Sequence, residues 1–258
     1  MMAFKKLLIK KTNGGVLHAV FFFTSNQFNE QRPIVILCHG FGGDKYEWNR
    51  FSITAIKLIK KGYDAIIFDF SGSGENIREP ILLSKQVKDL KDVYNWTRNK
   101  GYSQIAVIGL SFGGLTTLFA ELPEIQTTIF WAPAFFLRKI IGKYYSFIRI
   151  LELLHIKQFR LPQFGPNKSL IVNGEFVEEM QNLNFFKKLK NLQKPTLIIQ
   201  GLEDTDVKPS FTREAYNYIP NRVDHKLIEI EGADHEFQDV YLDRFINFTI
   251  SWLDEYLK

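Results

Sequence analysis

The 258-residue chain holds a single cysteine, Cys38. No internal disulfide can form, and without a C-x-x-C pair the chain has no thiolate zinc site of the usual spacing. The metalloprotease pattern H-E-x-x-H and the phosphate-binding P-loop are also missing. Gly72-Ser73-Gly74 follows an apolar run, but Ile77 stands where a dinucleotide fingerprint needs its third glycine. No metal and no organic cofactor are therefore expected. No apolar run approaches the ~20 residues of a membrane span. The opening MMAFKKLLIKK has a short apolar run between lysine pairs, well below the roughly 7–15 residues of a secretory signal. A cytoplasmic location is expected. No stretch rich in Gly, Pro or Ser marks a linker and no repeat recurs, so one domain spanning residues 1–258 is expected.

What is present is ordinary for a globular chain: 45% hydrophobic and 24% charged residues, with 24 phenylalanines to fill a core. Net charge is +5, but the excess sits in one place. Between residues 134 and 172 stand Arg138, Lys139, Lys143, Arg149, Lys157, Arg160 and Lys168 against the single acid Glu152. The rest of the chain is close to neutral, and no nucleic-acid motif accompanies the basic stretch, so no nucleic-acid partner is expected. A solvated surface accounts for these charges. A weak attraction to anionic membrane surfaces, at about 1 kcal/mol per contacting Lys or Arg, is the sharper reading.

Apolar patterning alternates between the two periods. Asn13-Gly14-Gly15 between FKKLLIKK and VLHAVFFFT marks a hairpin. Continuous apolar runs at 33–39, 64–70, 104–110, 126–132, 195–201 and 225–232 read as buried strands. Between them, Tyr46 to Lys60 has helical spacing, with Trp48, Phe51, Ala55 and Ile59 on one side. Ser84 is placed to cap a helix running to about Asn99, and a further helix runs from Phe112 to about Leu122. The last helix, from about Gln238 to Leu257, sets Tyr241, Phe245, Phe248, Trp252 and Tyr256 on one face. This alternation predicts an α/β fold: a mainly parallel sheet of about eight strands, helices on both faces, and an antiparallel hairpin at one edge. From Ala134 to about Lys190 the rhythm breaks. No buried strand is expected there, only one or two helices and a turn.

Four stretches carry chemistry. Gly109-Leu110-Ser111-Phe112-Gly113 fits G-x-S-x-G between a buried strand and a helix, the context in which a sharp turn presents a serine hydroxyl over a helix N-terminus. His39-Gly40-Phe41-Gly42-Gly43 follows another strand. Such a loop can turn an amide toward the serine. The backbone N–H groups of Phe41 and Phe112 are the expected oxyanion donors, each worth ~3–4 kcal/mol of transition-state stabilisation. His39 itself reads as a structural hydrogen-bonding residue. Asp204 lies in GLEDTDV and His235 in GADHEF, each just past a strand end. A serine hydroxyl becomes a nucleophile when an imidazole takes its proton, and a carboxylate fixes that imidazole's tautomer. The chain order Ser111, Asp204, His235 at matching strand ends predicts a catalytic triad. Glu203 and Asp206 are rival acids.

With these residues in view the chain resembles the α/β-hydrolases over nearly its whole length. In that family the acid commonly lies in G-x-x-D-x-x-V, which Gly201, Asp204 and Val207 match. Asp69-Phe70-Ser71-Gly72-Ser73-Gly74 resembles the family's D-x-R-G-x-G-x-S turn, with Ser71 in place of the arginine and Asn76 in place of the serine. Serine at the elbow, where dehalogenases and epoxide hydrolases carry aspartate, implies acyl chemistry. The basic insert and HGFGG loop are most similar to the cinnamoyl/feruloyl esterases and the serine-aminopeptidase-like, monoacylglycerol-lipase-like branch. The resemblance implies a helical lid at about 134–190 over the site, with Tyr144, Tyr145, Phe147 and Ile148 as expected substrate contacts. It implies a serine hydrolase of small-molecule carboxylic esters, with short-to-medium acyl or aryl groups. An amidase, aminopeptidase or acyltransferase on the same triad, or a binding protein that keeps the fold, are the alternatives.

Overall fold

The computed structural model describes residues 3–24, 32–140, 158–162 and 169–257. An eight-stranded sheet runs in the order β1-β2-β4-β3-β5-β6-β9-β10. The edge hairpin β1 (Ala3–Lys10) and β2 (Val16–Phe23) is antiparallel, and β2 pairs antiparallel with β4 (Asp64–Phe68). All other neighbours are parallel: β3 (Ile34–Cys38), β5 (Ile105–Leu110), β6 (Thr127–Trp131), β9 (Thr196–Gly201) and β10 (His225–Ile230). The hairpin turn works as its sequence demands, with Gly14 and Gly15 at φ 90° and 84°.

Residues of even and odd position along each strand feed opposite faces. Val35, Leu37, Ile67, Ile108, Leu110 and Trp131 pack one face against α1 (Arg50–Lys60) and the C-terminal helix, through Phe51, Leu58, Phe245 and Leu253. Ile34, Ile36, Ile66, Phe68 and Val107 pack the other face against Leu90 and Val93 of α2 (Leu83–Asn99). Phe130 and Ile198 continue that face against α3 (Phe112–Ala120). Each buried large apolar side chain of this kind contributes about 1.5–3 kcal/mol. The fold class read from the sequence is the one observed.

Three local expectations need correction. The helix expected from Tyr46 begins only at Arg50, because Glu47, Trp48 and Asn49 take left-handed backbone angles, φ 46°, 52° and 71°. Trp48 is therefore not on the helix's buried face. It is 44% exposed. Ser84 is not the cap of α2. The helix starts at Leu83, and the carboxylate of Glu179, from a helix remote in sequence, accepts the amides of Leu83 (2.7 Å) and Ser84 (3.3 Å). A carboxylate at a helix N-terminus satisfies open amides and meets the positive end of the dipole.

The third correction concerns residues 134–190. Where no strand was expected, β7 (Gln158–Pro162) and β8 (Ser169–Asn173) form an antiparallel pair beside the short α4 (Leu137–Ile140). Leu170 and Val172 of β8 are buried, and Ile171 ties back to the turn ahead of α2 by accepting the Ile81 amide at 3.0 Å. These residues alternate over too short a span to stand out from a loop. Next come α5 (Gly174–Asn182), capped by Asn173, and α6 (Phe185–Lys190), capped by Asn184. Helix α7 (Pro209–Tyr216) follows β9, and α8 (Val240–Tyr256) closes the chain. In α8 the buried stripe is Leu242, Phe245, Ile246, Ile250, Trp252 and Leu253. Tyr241, Phe248 and Tyr256, expected on the same face, are only partly covered. No helix among the described residues is long and apolar enough to cross a membrane.

Candidate active site

Six parallel strands end on one side of the sheet, and the loops leaving β3, β5, β9 and β10 meet there around a cavity of about 290 Å³. Its wall includes Gly40, Phe41, Ser111, Phe112, Asp206, Val207 and His235. The sheet has thus brought together residues nearly 200 positions apart.

Ser111 sits between β5 and α3 at φ 51° and ψ −115°, a backbone conformation that non-glycine residues rarely adopt. The turn is held by backbone hydrogen bonds. The Ser111 amide donates to Trp131 O at 2.9 Å, and the Ser111 carbonyl accepts from Gly114 and Ala134 at 3.0 Å. The flanking glycines are needed for close approach. A Cβ on Gly113 would fall 2.5 Å from the His39 carbonyl oxygen, and one on Gly109 would fall 2.6 Å from the Gly113 carbonyl oxygen.

Asp204, on the loop after β9, is buried, and its carboxylate is fully used. Oδ1 accepts from the amides of Val207 (2.7 Å) and Asp206 (3.0 Å). Oδ2 accepts from Gln200 Nε2 (2.9 Å) and from His235 Nδ1 (2.7 Å). Neither rival acid, Glu203 nor Asp206, makes a hydrogen bond to His235. Gln200 escaped the sequence reading. It is buried at the end of β9, with its Oε1 accepting from Thr212 Oγ1 at 2.6 Å, which turns its NH₂ toward Asp204. A polar residue closing the apolar run PTLIIQ was the available signal.

Burial acts to lower the His235 pKa. The hydrogen bond and charge of Asp204, with the nearby charges of Asp206 and Glu236, outweigh it and hold the imidazole above its ordinary value. With Nδ1 engaged by Asp204, Nε2 is the nitrogen free to serve the cavity. Ser111 and His235 line the same cavity but make no hydrogen bond with each other. Such contacts often tighten only when substrate arrives.

Phe41 and Phe112 also flank the cavity, and neither amide has a hydrogen-bond acceptor among the described residues. Phe112 is the first residue of α3, so its N–H carries the positive end of that helix. The loop bearing Phe41 is anchored on both sides. His39 Nε2 accepts from the Phe70 amide at 3.0 Å and its Nδ1–H donates to Gly40 O at 2.8 Å, which is the structural role expected of it. Lys45, 2% exposed, pairs with Asp69 and Glu75 at 2.7 Å each. The 69–74 turn is thus a buttress of the loop, with Asn76 Nδ2 donating to Asp69 O at 2.7 Å.

The remaining wall was not foreseen. Leu137, Ile140 and Phe176 of the 134–190 segment line the cavity. The expected contacts Tyr144, Tyr145, Phe147 and Ile148 lie outside the described residues. Glu47, Trp48, Arg50 and Glu236 also line the cavity. Buried Glu47 accepts from the Gly40 amide at 2.5 Å and from Arg50 Nη2 at 3.0 Å. Arg50 Nη1 in turn donates to the Glu236 carbonyl (2.7 Å) and carboxylate (2.8 Å). One ion-paired chain therefore joins the loop of Phe41 to the loop of His235. Among the described residues no three His, Cys, Asp or Glu side chains gather as a metal site.

The geometry can be set beside known proteins. Residues 35–247 match the model of an alpha/beta hydrolase family. No curated protein matches the chain. Among solved structures, Est1E from Butyrivibrio proteoclasticus, with ferulic acid bound, is similar with a TM-score of 0.78 and 22% identity, covering 97% of this chain and 98% of its own. The esterase Pf2001 of Pyrococcus furiosus is similar with a TM-score of 0.75 and 20% identity, covering 99% and 91%. DcsB, in complex with a substrate analogue, gives 0.79 at 17% identity, covering 99% of each chain.

Proposed function

The chain belongs to the alpha/beta hydrolase family, and from that premise we propose that it cleaves carboxylic esters through an acyl-enzyme. Ser111 Oγ attacks the ester carbonyl while His235 Nε2 takes the hydroxyl proton. Asp204 holds the imidazole in the required tautomer and stabilises its charge. The amides of Phe41 and Phe112 receive the oxyanion. His235 then gives its proton to the departing alcohol oxygen as the carbon–oxygen bond breaks, leaving an ester between the acyl group and Ser111. A water deprotonated by His235 releases the acid and restores the serine.

The observation that carries this reading is one cavity lined by a serine on a strained elbow and by a histidine whose far nitrogen is bonded to a buried carboxylate. The apolar wall of Phe41, Phe112, Leu137, Ile140 and Phe176 suits a short-to-medium or aryl acyl group, and the ferulic acid held by Est1E is an aryl acid. Leu137, Ile140 and Phe176 form the part of a lid that the described residues contribute. A fluorophosphonate should label the wild type and leave Ser111→Ala unlabelled, with kcat falling on the order of 10⁶-fold. A panel of p-nitrophenyl esters beside aminoacyl amides tests the substrate. An unlabelled, folded wild type would overturn the catalytic reading, and faster turnover of the amides would overturn the ester.

A further inference from the structure

Trp48 carries two costs that packing does not repay. The first is backbone: Glu47, Trp48 and Asn49 are consecutive left-handed residues, each costing about 1–2 kcal/mol for a residue with a Cβ. The second is exposure. Of the aromatic side chains lining the cavity, Phe112 and Phe176 are buried and Phe41 is 36% exposed, whereas Trp48 is 44% exposed. A helix beginning at Tyr46, as the spacing of apolar residues would allow, would avoid the first cost. The turn is instead clamped by Glu47, which grips Gly40 N and Arg50, and by Arg50, whose guanidinium lies 5.3 Å from the Trp48 ring and 5.2 Å from the Phe237 ring. Strain kept in place by buried ionic contacts at a cavity wall points to use.

The neighbours of the indole identify that use. Phe41, Phe112 and Phe176 pack on one another, with ring centroids 5.6–6.1 Å apart, beside the two free amides. Trp48 stands apart from them, against Arg50, which holds the carbonyl of Glu236, the residue after His235. In ester cleavage the carbonyl oxygen faces the amides and the leaving oxygen must lie by the histidine that protonates it. Resting on the serine-hydrolase reading above, we infer that Trp48 is a specificity-determining residue for the alcohol half of the ester. It favours alcohols and phenols that lay a flat aromatic face on the indole.

The test holds the acyl group fixed. Benzyl acetate and ethyl acetate are compared by kcat/KM in the wild type, Trp48→Phe and Trp48→Ala, and hydrolysis of the acetyl-enzyme is followed separately. The benzyl-over-ethyl ratio should fall about tenfold in Trp48→Ala and be largely kept by Trp48→Phe, the loss expected for one aromatic contact. Hydrolysis of the acetyl-enzyme, a step after the alcohol has left, should keep its rate. An unchanged ratio, or equal loss on both esters with slowed acetyl-enzyme hydrolysis, would overturn the assignment. Should Trp48→Ala not fold, Trp48→Leu must show the same fall in ratio. Failure of the underlying reading looks different: the wild type would form no acetyl-enzyme and turn over neither ester.

Discussion

Two turns with positive φ contribute to the cavity wall, and they are held by different means. The elbow at Ser111 is a backbone construction. Its strain is offset by main-chain hydrogen bonds to β6 and the 132–134 turn, and its room is made by glycines. The turn at Glu47–Asn49 has no glycine. Main-chain bonds close it too, from Glu47 N to Asp44 O and from Arg50 N to Glu47 O at 3.0 Å each, but what ties it to the neighbouring loops is side chains: a carboxylate accepting from Gly40 and Arg50, and a guanidinium lodged between two aromatic rings and Glu236. The first kind leaves a signature in the sequence because only glycine fits where two backbones touch. The second leaves none, because Glu, Trp and Arg at those spacings also suit an ordinary helix.

The sharpest way to separate the two is to damage each in its own currency. Gly113→Ala should be the more severe. The added Cβ meets carbonyls of the β3 end, which belong to the sheet and cannot step aside. We expect loss of soluble folded protein or, where it folds, loss of serine labelling by fluorophosphonate. A folded Gly113→Ala protein with wild-type labelling would show that the elbow does not depend on close approach.

Glu47→Gln should be milder. It keeps the shape and an acceptor for the Gly40 amide but removes the charge facing Arg50. Breaking a buried pair from one side costs about 3–5 kcal/mol when the partner is stranded. Here Glu236 still faces Arg50, so the lower end of that range applies. Urea unfolding should show a lower midpoint with an unchanged slope. A midpoint equal to the wild type would mean that the ionic clamp does not carry the turn.

The same contrast explains what the sequence disclosed. The strands, their mainly parallel character and the elbow were legible because burial on both faces and glycine at a close approach restrict residue type severely. Among the three acids of GLEDTDV only the family resemblance, through the G-x-x-D-x-x-V match, favoured Asp204 over Glu203 and Asp206; the structure adds the physical reason, a carboxylate that accepts from the Asp206 and Val207 amides while facing His235. Residues supported through space were not legible. Gln200 behind Asp204, Glu179 capping α2 and the Glu47–Arg50–Glu236 chain all join segments whose proximity only the folded sheet creates. Trp48 was misassigned for that reason: a helical period extends naturally back to it, and only the ionic contacts of its neighbours pull it out of the helix.

The smallest effect expected is electrostatic and sharpens the comparison at its other end, the His235 loop. Asp204, Asp206 and Glu236 together hold His235 above the ordinary imidazole pKa despite its burial. Because the neutral imidazole is the base, kcat/KM should rise with pH through a midpoint above about 6.5, the ordinary histidine value. Asp206→Asn removes a charge without touching the Asp204 bond, so the midpoint should move down while the high-pH plateau is kept. Stability follows the same proton with the opposite sense. A raised histidine pKa contributes stability fully below the unfolded value, and that contribution is lost as pH climbs through the folded one. The wild type should therefore lose some stability on passing upward through that window, and Asp206→Asn should lose less. An acid limb that does not move in Asp206→Asn would assign the raised pKa to the Asp204 contact alone and leave the loop charges without influence on the base.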